Sequence, residues 1–192
     1  MAKEVNDVDT QQDRRRYYHP GQKDYATFLE TSEQTGGERT LIEIELAPRG
    51  SNTPHYHLTY DEHFEVLEGA LEVQLGKASR ILHPGQEAVA YKTVLHSFAN
   101  PSDDEPATFL VELRPGHAGF EKALKVSYGL AADGLGAANG APKNPYHLAL
   151  VFEWGEGRLP GLFFAFAEPL MRLLAKRARR KGIDKELEER YC

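Results

Sequence analysis

The spacing His55-Tyr56-His57, followed by Glu62 and later by His96, constrains this chain more than any other feature of its sequence. Along an extended strand, side chains i and i+2 share a face, so His55 and His57 project together while Tyr56 points away. Neutral imidazole is a good ligand for several divalent metals, and one carboxylate compensates charge. Glu62 and His96 then close a site of three nitrogens and one oxygen, with one or two positions left for water, dioxygen or a chelating substrate. The ordinary reading of a single strand histidine is a solvent-facing side chain. Ligand type and spacing together favour the metal.

The surrounding pattern is that of short strands. Leu41-Ile42-Glu43-Ile44-Glu45-Leu46 alternates strictly, with Ile42, Ile44 and Leu46 on one face. Phe64 and Val66 have the parity of Glu62, whereas His63, Glu65 and Leu67 face the other way. Leu71 to Leu75 alternates again, and further strands are expected around 80–82, 87–91, 96–100 and 107–113, divided by His83-Pro84-Gly85 and Pro101-Ser102-Asp103-Asp104. Many short strands with such turn signals predict an antiparallel sandwich or barrel. Beyond residue 116 the period becomes helical: a helix over about 117–131, a glycine-rich connector, an apolar segment over 146–154 and a long amphipathic helix from 160 or 161 to 180.

Two stretches carry a resemblance to a known family. Gly50, four residues, His55, Tyr56, His57, four residues, Glu62, six residues and Gly69 are similar to the first motif of the cupin superfamily. Gly85, five residues, Tyr91-Lys92-Thr93, two residues, His96, three residues and Asn100 resemble the second, with Tyr91 and Thr93 where that motif usually has proline and glycine. The resemblance implies a mainly β fold: an antiparallel double-stranded β-helix, the jelly-roll or cupin barrel, followed here by C-terminal α-helices. It also implies a divalent ion (iron, nickel, manganese or zinc) held by His55, His57, Glu62 and His96, a small-molecule ligand inside the barrel, and a homodimer. The expected organisation is a flexible arm over 1–20, the barrel over 21–116 and a helical appendage over 117–192.

A net charge of −6 gives no reason to expect nucleic acid. The single cysteine, Cys192, cannot staple the fold internally, which fits a reducing compartment. The first nine residues have no apolar core of a secretory signal and no run reaches the length of a membrane span, so a cytoplasmic protein is expected. The arginines 14–16 read as part of a solvated tail.

Tyr56, Tyr60 and Tyr91 are weak catalytic candidates, since aromatics at such positions more often pack at the core or rim. Phe64, Val66, Leu71, Val73 and Phe98 read either as an apolar wall around the metal or as ordinary barrel core. His19, His63, His83, His117 and His147 read as structural or surface residues. Residues 160–181 combine an apolar face with a basic flank, which suits contact with an anionic membrane surface or, the favoured reading, packing on the barrel or a second subunit. The functional expectation is a metal-binding cupin of dioxygenase-like or isomerase-like type, and the alternative is a non-catalytic binding module whose appendage contacts a partner or membrane surface.

Overall fold

The computed structural model describes residues 16–137 and 139–192, with the backbone only at 162–166. Nine strands lie among these residues: β1 (Arg16–His19), β2 (Asp24–Glu30), β3 (Thr40–Leu46), β4 (Asp61–Glu68), β5 (Leu71–Leu75), β6 (Ala78–Leu82), β7 (Glu87–Ala90), β8 (His96–Ala99) and β9 (Ala107–Arg114). They form two antiparallel sheets, one in the order β1-β2-β3-β9-β4-β7 and one in the order β6-β5-β8. Four helices follow: α1 (Ala118–Ala132), α2 (Pro145–Gly155), α3 (Leu162–Arg180) and α4 (Ile183–Tyr191).

Strand alternation decides which residues fill the space between the sheets. In β3, Thr40, Ile42, Ile44 and Leu46 are buried while Glu43 and Glu45 are not. In β4, Glu62, Phe64 and Val66 point inward, as their shared parity predicts, and Glu65 and Glu68 are exposed. The barrel core joins these residues to Leu71, Val73, Phe98 and Phe109 from the other strands. Gly69 turns β4 into β5 at φ 73, and a Cβ there would lie 2.4 Å from the carbonyl oxygen of Pro106, so the position excludes a side chain twice over.

Helix α1 faces two ways. Phe120, Leu124 and Tyr128, spaced four apart, pack on the barrel core, whereas Val126 and Leu130 pack with Ala149, Leu150, Ala175, Ala178 and Leu187 in a second, helical core. The predicted stripe Met171, Leu174, Ala175 and Ala178 is part of that second core, opposite exposed Arg172, Lys176, Arg179 and Arg180. This stripe therefore packs on the other helices, where the expectation was the barrel or a second subunit. Among the described residues no helix is long and apolar enough to cross a membrane.

Three features differ from the sequence reading. The expected arm over 1–20 includes a strand: Arg16–His19 pairs with Asp24–Thr27, while residues 1–15 lie outside the described part of the chain. The apolar segment after the connector is a helix, opened by Asn144, whose side chain accepts the Tyr146 N–H, with Pro145 at its first position. A fourth helix, Ile183–Tyr191, follows beyond the long amphipathic one; its acidic first turn and Arg190 near its end suit the helix dipole.

Candidate metal centre

Segment 51–57 approaches the barrel mouth through isolated bridges rather than as a full strand. The His55 N–H donates to the His96 carbonyl at 3.0 Å and the His96 N–H returns a bond to the His55 carbonyl at 2.8 Å. That bridge sets two of the imidazoles side by side, with ring centroids 4.5 Å apart. His57, two residues on, turns to the same side, its ring 4.7 Å from that of His55. Glu62 is the second residue of β4, held between Leu113 of β9 and Ala90 of β7, and points inward from the wall.

One ligand atom from each of His55, His57, Glu62 and His96 can be chosen so that all lie within 4.8 Å of one another. His57 Nε2 stands 3.0 Å from Glu62 Oε1, and His96 Nε2 stands 3.3 Å from Glu62 Oε2. Ligand atoms bound at about 2.0–2.2 Å to one ion are themselves roughly 3 to 4 Å apart. The four side chains are therefore spaced to suit one ion.

The outer nitrogens settle which ring atoms are free. His55 Nδ1 lies 2.8 Å from the Thr53 carbonyl and His96 Nδ1 lies 2.9 Å from the Val94 carbonyl; a carbonyl only accepts, so each Nδ1 carries the proton. His57 Nδ1 lies 2.6 Å from the Tyr60 hydroxyl, and that hydroxyl donates to the Gly155 carbonyl at 2.8 Å. Tyr60 has one proton to give, so His57 Nδ1 donates to Tyr60 as well. In the neutral imidazoles every Nε2 is then a lone pair. His57 Nε2 and His96 Nε2 are buried with no aligned hydrogen-bond partner, despite their approach to Glu62. Buried polar atoms in that condition are uncommon, and a metal ion would satisfy them.

The electrostatics hold His55 neutral and draw His96 the other way, towards its charged form. Burial, reinforced by His57 and His96, pushes the His55 pKa down to about 4, so it is neutral near pH 7. Burial works against the Glu62 carboxylate, yet His57 and His96 hold its pKa well below the usual range. Burial lowers and Glu62 raises the pKa of His96, and the carboxylate prevails. Burial first, then the charges of Glu62 and Glu156, raise the Tyr60 pKa, so its hydroxyl keeps its proton.

The remaining candidates separate clearly. Tyr60 is 1% exposed and works through His57 rather than on a ligand. Tyr56 borders the cavity above the cluster, and its backbone bridges Arg158, with N–H to carbonyl distances of 3.0 and 2.9 Å. Tyr91 is 63% exposed and is not among the residues bordering that cavity. The turn that Tyr91 and Thr93 enter still forms: Thr93 adopts φ 70, the conformation for which glycine is usual, and its N–H donates to the His57 carbonyl at 2.6 Å. Asn100 has a structural role, with Nδ2 donating to the carbonyls of Leu46 and Glu105 at 3.1 and 2.8 Å.

Of the five residues weighed as an apolar wall, only Phe98 borders the cavity; Phe64, Val66, Leu71 and Val73 are barrel core. Ile42, Ile44 and Val111 of the barrel also border the cavity, and the helices add to that wall, beginning with Phe120, whose ring meets that of His57 edge-on at 6.2 Å. His63 is half-buried with the opposite parity to Glu62, His83 is exposed, and His117 caps α1 by accepting the Phe120 N–H at 2.9 Å. His19 is buried against Tyr128, with ring centroids 4.8 Å apart, and so is structural rather than superficial. Sequence reasoning missed the segment after α2. Glu156 accepts from Thr59 Oγ1 at 2.7 Å, and with the Tyr56–Arg158 bridge it straps the appendage across the loop that carries His55 and His57.

Two antiparallel sheets with a histidine and glutamate cluster at one mouth define a double-stranded β-helix suited to binding a metal. Residues 42–112 match the cupin domain family, which supports the resemblance of the barrel to the cupin superfamily. An RmlC-like cupin from Shewanella frigidimarina is similar at 14% identity and a TM-score of 0.48, over 62% of this chain and 96% of that one. The TT1209 protein from Thermus thermophilus is similar at 26% identity and a TM-score of 0.46, over 59% of this chain and 98% of that one. A sugar phosphate isomerase of the cupin superfamily from Silicibacter pomeroyi is similar at 27% identity and a TM-score of 0.44, over 52% of this chain and 69% of that one. No curated protein matches the chain by sequence.

Proposed function

We propose that this chain is a metal-dependent cupin in which His55, His57, Glu62 and His96 hold one divalent ion, iron, nickel, manganese or zinc, and that a small oxygen-bearing molecule binds beside it. One observation carries this reading: the Nδ1 partners Thr53, Tyr60 and Val94 leave three Nε2 lone pairs grouped around the Glu62 carboxylate. A bound ion would polarise an oxygen ligand or supply redox chemistry.

The chain's own residues orient and shield. Tyr60 fixes the His57 ring, Phe120 keeps water from one side of it, and Glu62 offsets the charge of the ion. Such a centre suits dioxygenase-like or isomerase-like chemistry on a chelating substrate. Glu156 and Tyr56 both border the cavity and are the candidates within it to handle a proton.

A second reading, a non-catalytic binding module, is favoured by one specific fact: the Tyr60 hydroxyl is committed to His57 and Gly155, which leaves it no part in proton transfer. Metal analysis of the purified protein against a His55→Ala/His57→Ala variant tests the shared premise, and equal metal content in the two would refute it. Oxygen uptake by the iron-loaded protein over catechols, diketones and thiols separates the readings. Turnover supports the enzyme; uniform inactivity with ligand-dependent thermal shifts supports the module. A homodimer is proposed as well, supported by the edge strand β6, where Ile81 is 52% exposed, and light scattering on the purified chain checks it.

A further inference from the structure

The cavity at the barrel mouth has a volume of about 1310 Å³ and is bordered both by His55, His57 and Glu62 and by helices α1 and α2. Pockets for drug-sized ligands run from about 300 to 1,000 Å³, so this one is larger than a catechol, a short diketone or a small organic acid requires. Its walls are mainly apolar. Phe120 and Leu124 on α1, with Leu148, Val151 and Phe152 on α2, all border the space and are only half-buried, although they lie between the barrel and the helical layer.

The apolar wall is continuous with the metal cluster, because the Phe120 ring meets both His57 and Tyr60 edge-on, at 6.2 and 5.8 Å. Phe120 and Leu124 then carry it one turn along the same face of α1. The charged groups bordering the cavity are mostly neutralised among themselves: Glu168 takes Arg158 at 3.2 Å and Arg172 at 2.6 Å, and Arg179 pairs with Glu153. Apart from Lys176 and Glu156, what the cavity offers a ligand is therefore a strongly polar anchor, the histidine and glutamate cluster, opening onto an extended apolar surface.

We propose that the ligand of this site is an amphipathic molecule with an oxygen-donor head, of carboxylate or dicarbonyl type, at the His55, His57, Glu62, His96 cluster and a long alkyl or acyl chain lying along α1 and α2. This rests on the metal-binding reading above and adds the chain to it. Each methylene buried against such a wall strengthens binding about fourfold. A head group alone binds weakly, and chain length sets both affinity and selectivity.

The test uses the full chain loaded with cobalt(II) and titrated with acetohydroxamate, octanohydroxamate and dodecanohydroxamate, followed by the visible cobalt spectrum and by calorimetry. All three hydroxamates should shift the cobalt bands, with affinity rising about threefold to fourfold per methylene between the first two. Leu148→Trp, which fills the space beside the chain, should bind acetohydroxamate as the wild type does and lose most of the gain for the longer compounds. The wild-type series decides the matter even where that variant fails to fold. Shifted cobalt bands with no dependence of affinity on chain length overturn this proposal and leave the metal reading standing. Long-chain binding that leaves the cobalt spectrum unchanged also overturns it, because the head would then lie elsewhere. Failure to take up cobalt overturns the metal reading, and this proposal with it.

Discussion

The Tyr60 hydroxyl stands 2.6 Å from His57 Nδ1 and 2.8 Å from the carbonyl oxygen of Gly155, so a single phenol ties a residue of the candidate metal centre to the last residue of α2. The proton order along this line, from imidazole to phenol to carbonyl, places the neutral ring's proton on Nδ1 and leaves Nε2 to face Glu62. Tyr60→Phe keeps the ring and removes the acceptor. Metal affinity should fall about 10- to 100-fold, the usual effect of losing such an outer partner. Stability without metal should fall by about 1–3 kcal/mol, because a buried N–H and a buried carbonyl lose their partners. Competition against a chelator of known affinity reads the first effect and thermal unfolding the second; an unchanged affinity would remove Tyr60 from the site.

Thr93 holds φ 70 on an exposed turn, a conformation that costs a β-branched residue about 1–2 kcal/mol relative to glycine. Thr93→Gly relieves that strain but frees the unfolded chain, so the net gain should be about 0.5–1 kcal/mol. Denaturant unfolding measures it. A loss of stability would mean that the threonine side chain makes a contact worth more than its strain.

Asp24 is fully buried in β2. Burial pushes its pKa from 3.8 up to about 7, against the bond that Tyr128 Oη–H donates to Oδ2 at 2.7 Å. Oδ1 has no hydrogen-bond partner. Between these two pKa values the folded state holds a proton that the unfolded state has released. Stability should therefore be fully present below about pH 4, decline as pH rises towards 7 by on the order of 4 kcal/mol, and level off above it. Asp24→Asn should flatten that slope while keeping an acceptor for Tyr128. Unfolding free energies at several pH values check this, and an identical slope in the variant would assign the decline elsewhere.

Glu121 is buried on α1, where Oε1 accepts the Ser32 N–H and the Thr40 hydroxyl, both at 2.6 Å. It joins the first turn of that helix to β3 and to the loop after β2. Glu121→Ala leaves two buried donors unpaired and should cost about 2–4 kcal/mol, with little effect on metal content. Parallel unfolding and metal analysis separate the two, and a variant that keeps its stability but loses its metal would contradict this assignment.

The legible parts of the molecule are those whose signal is local. Ile42, Ile44 and Leu46 announced β3 by alternation, and the His55, His57, Glu62, His96 set announced its own convergence because strand parity governs where each side chain points. The illegible parts depend on partners far along the chain. Arg16-Tyr17-Tyr18-His19 shows no apolar alternation and becomes a strand because β2 presents an edge to it. Tyr60 looked like any half-apolar ring near a motif; its role depends on Gly155, which only the packing of α2 brings within reach. The cavity wall joins Ile42, Ile44, Phe98 and Val111 of the barrel to Phe120, Leu124 and Leu148, whose helical spacing reads as ordinary core until the space beside them is seen.

The backbone bridge between Tyr56 and Arg158 has a consequence for the order of assembly. Chains fold broadly from the N-terminus as they are made. All four metal-suited side chains have emerged once residue 96 is synthesised, but the carbonyl that sets the proton on His57 arrives only with residue 155, and the strap with residue 158. A nascent barrel therefore has its ligands well before it has their final geometry. The metal-suited cluster thus reaches its final geometry late in the life of the chain, only once the helices have closed over the mouth they help to build.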